Sequence, residues 1–221
     1  MLSSFDAKIE LLREQSETLE KTAQTIFQEW FGKYSVERPE ELPEGWRVGK
    51  LGEVTKLIAG GDSPKNATVN KTDINTIPIF SNGISNDGLY WYTDIPRITE
   101  ESVTVSARGT IGYVSLKIEP YVPIVRLIAV VPNKTYISSK YLFLWLKNQN
   151  ISGFGTTQQQ ITIPSFSNHE IIIPERGVMD VFTKILESFY KKIFTNLFNI
   201  QSLSRTRDEL LPRLMSGEVR V

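Results

Sequence analysis

Leu2, Phe5, Ile9, Leu12, Ser16, Leu19, Ala23, Ile26 and Trp30 follow one another at alternating steps of three and four. That spacing is a heptad seam with Ser16 as its polar member, and no proline or glycine interrupts it before Gly32. It predicts a helix over residues 1–33 with a stripe too narrow to be stable without a partner helix. Leu186, Phe189, Ile193, Asn196, Ile200, Leu203, Arg207, Leu210 and Leu214 repeat the alternation and predict a second long helix within residues 178–221, bent or ended by Pro212. Asn196 and Arg207 interrupt this second seam and are expected to specify pairing rather than chemistry. One helix runs toward the middle segment and the other away from it, so an antiparallel coiled coil is expected.

Residues 34–177 change period. Residues 34–46 contain Pro39 and Pro43 among charged residues and predict an extended linker. Short apolar or alternating runs at Lys56–Ala59, Ile77–Phe80, Val103–Ala107, Ile111–Leu116, Val122–Val131 and Ile171–Ile173 predict strands, separated by Gly-Gly, Asn-Gly, Asp-Gly and Arg-Gly turns. Tyr141–Leu146, preceded by Ser138 and Ser139, predicts one short capped helix. The expected class is α+β: a mixed-β domain flanked by two long helices.

Composition narrows the function. The chain has no cysteine and one histidine, His169, which removes disulfides, thiolate metal sites and imidazole clusters. No signal peptide or membrane span is evident, so a cytoplasmic protein is expected. Its 25 basic and 25 acidic residues cancel, which argues against unspecific adhesion to nucleic acid. Charge is nonetheless uneven: residues 63–150 carry 9 basic and 6 acidic groups, against 4 and 6 in residues 1–33.

Catalytic motifs are missing. There is no phosphate-binding Gly-Lys-Ser/Thr, no Glu-x-Lys, no Asn-Pro-Pro or Asp-Pro-Pro, and Gly153-Phe154-Gly155 lacks the helix that a dinucleotide or methyl-donor site requires. His169 stands at the head of a strand with no nucleophile or carboxylate pair around it, so a structural role is expected. What remains is turns bearing base-edge and phosphate chemistry: Lys65 and Asn66 after Gly60-Gly61, Asn82 before Gly83, Arg108 and Thr110 around Gly109, and Gln158 with Gln159. Such residues also build turns in their own right, and only their accumulation on one domain favours DNA readout.

Leu19 to Phe31 resembles the end of the helical spacer of type I restriction-modification specificity subunits. Pro43 to Glu53 resembles the start of their target-recognition domain. Ala107-Arg108-Gly109-Thr110-Ile111-Gly112, Thr156 to Ile161 and Ile171 to Pro174 are similar to its recurrent turns, and Leu203 to Glu218 to the C-terminal helix ending. The resemblance covers nearly the whole chain. It implies a non-catalytic, half-length subunit with one target-recognition domain (34–177) between coiled-coil helices (1–33 and 178–221). A natural half-subunit and a fragment of a two-domain one both remain open.

The implied partners are double-stranded DNA, methyltransferase subunits that use S-adenosylmethionine, and restriction subunits that use ATP and magnesium. The chain itself is expected to hold no cofactor or metal. Apolar residues beside the seams, namely Leu11, Phe27, Phe31, Phe194, Leu197, Phe198 and Leu211, exceed what two helices bury. Phe194, Phe198 and Leu211 are therefore the expected partner-docking residues. Bipartite reading by one domain per chain implies a homodimer contacting through residues 211–221. The rival reading is a coiled-coil adaptor between proteins, which net neutrality supports; an autonomous DNA enzyme is the weaker third.

Overall fold

The computed structural model describes residues 2–149, 151 and 160–215. The chain divides into two compact units, one made of residues 1–33 with 182–221 and the other of residues 34–181.

The helical unit contains α1, Leu2–Phe31, and most of α5, Arg176–Met215. Thirty residues of α1 span roughly 45 Å. Cross-helix contacts run in opposite sequence directions: Arg207 donates to Asp6 at 2.8 Å, Asn196 Nδ2 to Ser16 Oγ at 3.2 Å, and the Phe31 and Phe182 rings meet edge-on at 4.9 Å. The pair is therefore antiparallel. Its two expected seam-breakers face polar partners, Asn196 the buried Ser16 and Arg207 the Asp6 carboxylate.

The seam departs from the heptad at the end of α1. Ala23, Phe27 and Phe31 are buried there while Ile26 and Trp30 are only half-buried. Steps of four keep the face of a straight 3.6-residue helix turned inward, where a strict heptad would drift. Phe27 and Phe31, expected beside the seam as surplus apolar surface, are core at 3% and 1% exposure, packed with Phe182. At the other end α5 does not stop at Pro212 but continues to Met215.

The second unit is built on a four-stranded antiparallel sheet in the order β2 (Thr55–Ala59), β8 (Leu127–Pro132), β5 (Ser102–Ser106), β6 (Val114–Lys117). Strands β5 and β8 hold its centre, and their side chains are buried almost throughout because both faces are covered. A three-stranded sheet orders β4 (Leu89–Thr93), β3 (Ile77–Phe80) and β7 (Val122–Pro123), with β3 and β7 parallel. The pair β1 (Arg47–Lys50) and β9 (Glu170–Ile173) closes the domain.

Helix α3, Ser139–Lys147, packs on β5 and β6, and its Ser138 side chain caps it by accepting from Tyr141 N. Its Lys140 forms a 2.6 Å ion pair with Glu101, and its Tyr141 hydroxyl donates to Ile172 O at 2.7 Å, tying the helix to β9. Two short helices, α2 (Leu51–Val54) and α4 (Ile163–Ser167), complete the unit. The expected single strand Val122–Val131 is broken in two. Arg126 takes φ 71°, and Leu127 N donates to Ile124 O at 3.2 Å, which turns the chain between β7 and β8. Among the described residues no helix is long and apolar enough to cross a membrane.

Candidate nucleic-acid interface

Two turns far apart in sequence meet at one edge of the four-stranded sheet. The first follows β3: residues 81–88 reverse direction through Asn86, Asp87 and Gly88, with φ of 50°, 55° and 78°. Three successive left-handed residues are costly outside glycine, and short Asn and Asp side chains tolerate them best. The second is the β5–β6 connection, where Gly109 has φ 79° and a Cβ would lie 2.9 Å from Asn82 Nδ2, so a side chain there would be strained and would push on the Asn82 amide.

Hydrogen bonds fasten them. Asn82 Nδ2 donates to Arg108 O at 2.7 Å, while the Asn82 carbonyl accepts from Ser106 Oγ at 3.4 Å and from Thr110 Oγ1. Asp87 fastens the first turn to the sheet. Its carboxylate accepts from Tyr113 OH at 3.0 Å, from Ser115 Oγ at 2.7 Å and from Lys117 Nζ. Residues 113, 115 and 117 share one face of an extended chain because successive side chains alternate, so one acid collects three donors.

Lys117 is buried at 5% exposure, with Nζ 3.6 Å from the centre of the Phe80 ring. Burial holds its pKa below the usual lysine value, and the Asp87 charge opposes that shift. The ion pair therefore lets a cation sit in the domain core.

These contacts sort the expected site residues. Asn82, Arg108 and Thr110 are brought together; the Asn82 amide and Thr110 hydroxyl brace the turns, and the half-buried Arg108 guanidinium has no ion pair or hydrogen bond among the described residues. Asn66 serves the protein instead. Its Nδ2 donates to Asp94 Oδ1 at 2.6 Å, its Oδ1 accepts from Thr93 at 3.1 Å, and its carbonyl accepts from Asn75 at 2.8 Å. The first of these bonds also lowers the Asp94 pKa. Lys65 is exposed in the adjoining turn without an ion pair among the described residues. Gln158 and Gln159 lie outside the described residues.

Sequence reasoning missed Asp87 and Arg126. Arg126 lines, with Arg108, Gly60, Val125 and Gln160, a groove of about 450 Å³ at the rim of β2, β8 and β5. A charged residue inside the apolar run Val122–Val131 was the available signal for Arg126. For Asp87 it was the polar alternation Tyr113, Ser115, Lys117 on a strand.

On the helices, Phe198 is 71% exposed, Leu197 45%, Leu11 44% and Leu211 42%, and Phe194 is half-buried. His169 is also half-buried, with Nε2 lacking a partner among the described residues. Burial lowers its pKa, against a smaller opposing effect of Glu170.

Residues 43–201 match the type I restriction modification DNA specificity domain. The specificity subunit of the MjaIX type I restriction enzyme of Methanocaldococcus jannaschii is 28% identical over 249 residues, an alignment that takes in 100% of this chain and 57% of that protein. That of the HindI enzyme of Haemophilus influenzae is 26% identical, over 80% of this chain and 42% of its own length. Among solved structures, the S subunit of a type I system from M. genitalium superposes with a TM-score of 0.71 at 16% identity, over 96% of this chain and 58% of that one. The HsdS subunit of Thermoanaerobacter tengcongensis gives 0.52 at 19%, over 99% of this chain and 56% of that one. The chain spans about half the length of the curated relatives it matches.

Proposed function

Because the chain belongs to the family of type I restriction-modification DNA specificity domains, we propose that it reads a DNA half-site for a methylating and restricting complex, with no catalysis of its own. The observation that carries this reading is the braced pair of turns, in which Asn82, Thr110 and Asp87 hold the backbone around an uncommitted Arg108. A guanidinium so placed suits bidentate contact with a guanine edge, and a fixed backbone lowers the ordering cost of that contact. Arg108 is the reader in this proposal, Lys65 a phosphate contact, and Gln158 and Gln159 further candidates. Asn66, Asn82 and Thr110 act by holding the loops.

Methyltransferase subunits, which would bring S-adenosylmethionine, are proposed to dock on the helices at Phe194, Phe198 and Leu211, where apolar side chains remain open to solvent. Charged replacements at Phe194 and Phe198 are expected to abolish co-purification with the methyltransferase while leaving the helical circular-dichroism signal intact; loss of that signal would make them core.

The deciding experiment combines the chain with methyltransferase subunits and compares binding to the motif found methylated in the host with a scrambled duplex. Motif-selective binding that needs the methyltransferase supports the proposal. Equal binding to both duplexes, or none, supports a protein adaptor.

A further inference from the structure

Arg126 occupies a conformation that arginine has no reason to choose. Its φ of 71° is in the left-handed region, which glycine adopts freely and a β-carbon opposes. The other non-glycine residues of this kind among those described, Asn86 and Asp87, are of types that tolerate the region. Asp87 also gains three donors by being there. Arg126 gains nothing comparable: its exposed side chain has no hydrogen bond or ion pair among the described residues. Its backbone cannot relax, because the carbonyl accepts from Ala107 N at 2.8 Å while Leu127 N closes the turn onto Ile124 O. A strained position that keeps a long cation without an internal partner points to a use for that cation outside the chain.

The surroundings say which use. Arg126 and Arg108 border the same groove, and none of the described residues lining it is acidic. The Ala107–Arg126 bond carries the β5–β8 pairing one step past its last strand pair, Ser106 with Leu127, so the two arginines follow and precede neighbouring central strands at one end of the sheet. Their settings differ. Arg108 is half-buried with its carbonyl clamped by Asn82, whereas Arg126 is exposed at a turn. A guanidinium carried on a fixed backbone suits a base edge, and one on an exposed turn suits a phosphate, which accepts a cation from many directions.

We propose that Arg126 is a backbone-phosphate contact that seats the DNA against Arg108, an assignment that rests on the DNA-reading function above. Because the Arg126 side chain holds no other group in place among the described residues, replacing it should not disturb the fold, and glycine, which keeps the carbonyl bound by Ala107 N, should suit the backbone better.

The test uses the full chain with its methyltransferase subunits, on the methylated motif and on scrambled DNA, across a salt series. For Arg126→Gly the thermal midpoint is expected to be unchanged or raised. Affinity is expected to fall about tenfold on both duplexes alike, with the slope of log K against log salt shallower by about one. Arg126→Lys is expected to keep the slope. Unchanged affinity and slope in Arg126→Gly overturns the assignment, as does a loss confined to the motif, which would make Arg126 a base reader. If the unaltered complex shows no motif preference, the DNA reading itself falls; if it shows one that Arg126→Gly leaves intact in strength and slope, only this assignment falls.

Discussion

Asp87 and Lys117 illustrate how differently two partners in one ion pair can matter. Lys117 is buried and Asp87 is half in solvent, so deleting the acid strands a charge in the core, whereas deleting the lysine leaves a wetted carboxylate. Asp87→Ala is expected to cost about 2 kcal/mol and to loosen residues 81–88; the figure lies below the usual cost of breaking a buried pair because water screens the acid. Lys117→Met, which puts an uncharged chain of similar length beside Phe80, is expected to be close to neutral. Urea unfolding midpoints of the two variants check the asymmetry, and equal losses would refute it. The residues themselves were in part legible beforehand. Asn82, Arg108 and Thr110 were found by turn chemistry, because side chains that brace a turn and side chains that read a base are the same types. For that reason the sequence could not separate Asn66, whose amide is spent on Asp94 and Thr93, from a reader.

At the scale of elements, the long helices were legible from the period of their apolar positions, and the Asn196 and Arg207 interruptions from their place in it. Asn196 is fully buried, donates to Ser16, and keeps Oδ1 without a partner among the described residues. Such a polar pair lowers stability and selects one register. Asn196→Leu combined with Ser16→Ala is expected to raise the thermal midpoint while broadening the oligomer distribution in light scattering; a single sharp species would show that the pair does not govern register. The packing of Phe27 and Phe31 was not legible, because a heptad and a straight-helix period diverge only slowly along the chain. Strand β4 was overlooked despite its Leu-Tyr-Trp-Tyr-Thr composition, and β1, Arg47–Lys50, has too few apolar residues to announce itself.

The turn between α4 and β9 holds His169, whose pKa burial depresses. The unfolded chain then binds the proton more readily, so stability contributed here is complete above the unfolded pKa of about 6.5 and is lost as pH falls through the folded value. His169→Gln is expected to remove part of the drop in thermal midpoint between pH 7.5 and about pH 5. An identical drop in both proteins would place the acid sensitivity elsewhere.

For the whole molecule, the division at residues 33/34 and 181/182 yields one domain of the kind that the family carries. If two readers are needed, a second copy related by a two-fold axis supplies the other, and its target must then mirror that axis. Light scattering of the full chain, and of a version ending at Leu210, is expected to show a dimer and a monomer respectively. A full chain that remains monomeric at micromolar concentration, even with methyltransferase bound, would contradict this assembly. A palindromic methylated motif would agree with it.

Phe31 and Phe182 touch, although the whole of residues 34–181 separates them in sequence. The helical unit thus releases the chain and takes it back at a single place, which makes the intervening domain an insert with its ends together. A gene exchange cut near codons 33 and 182 would replace the whole inserted domain and leave the helical frame in register. Bridging the same two points with a few glycines should leave a self-standing helical hairpin. On the proposed function, new target specificities would then arise by recombination alone, with no compensating change in the helical surfaces offered to a partner.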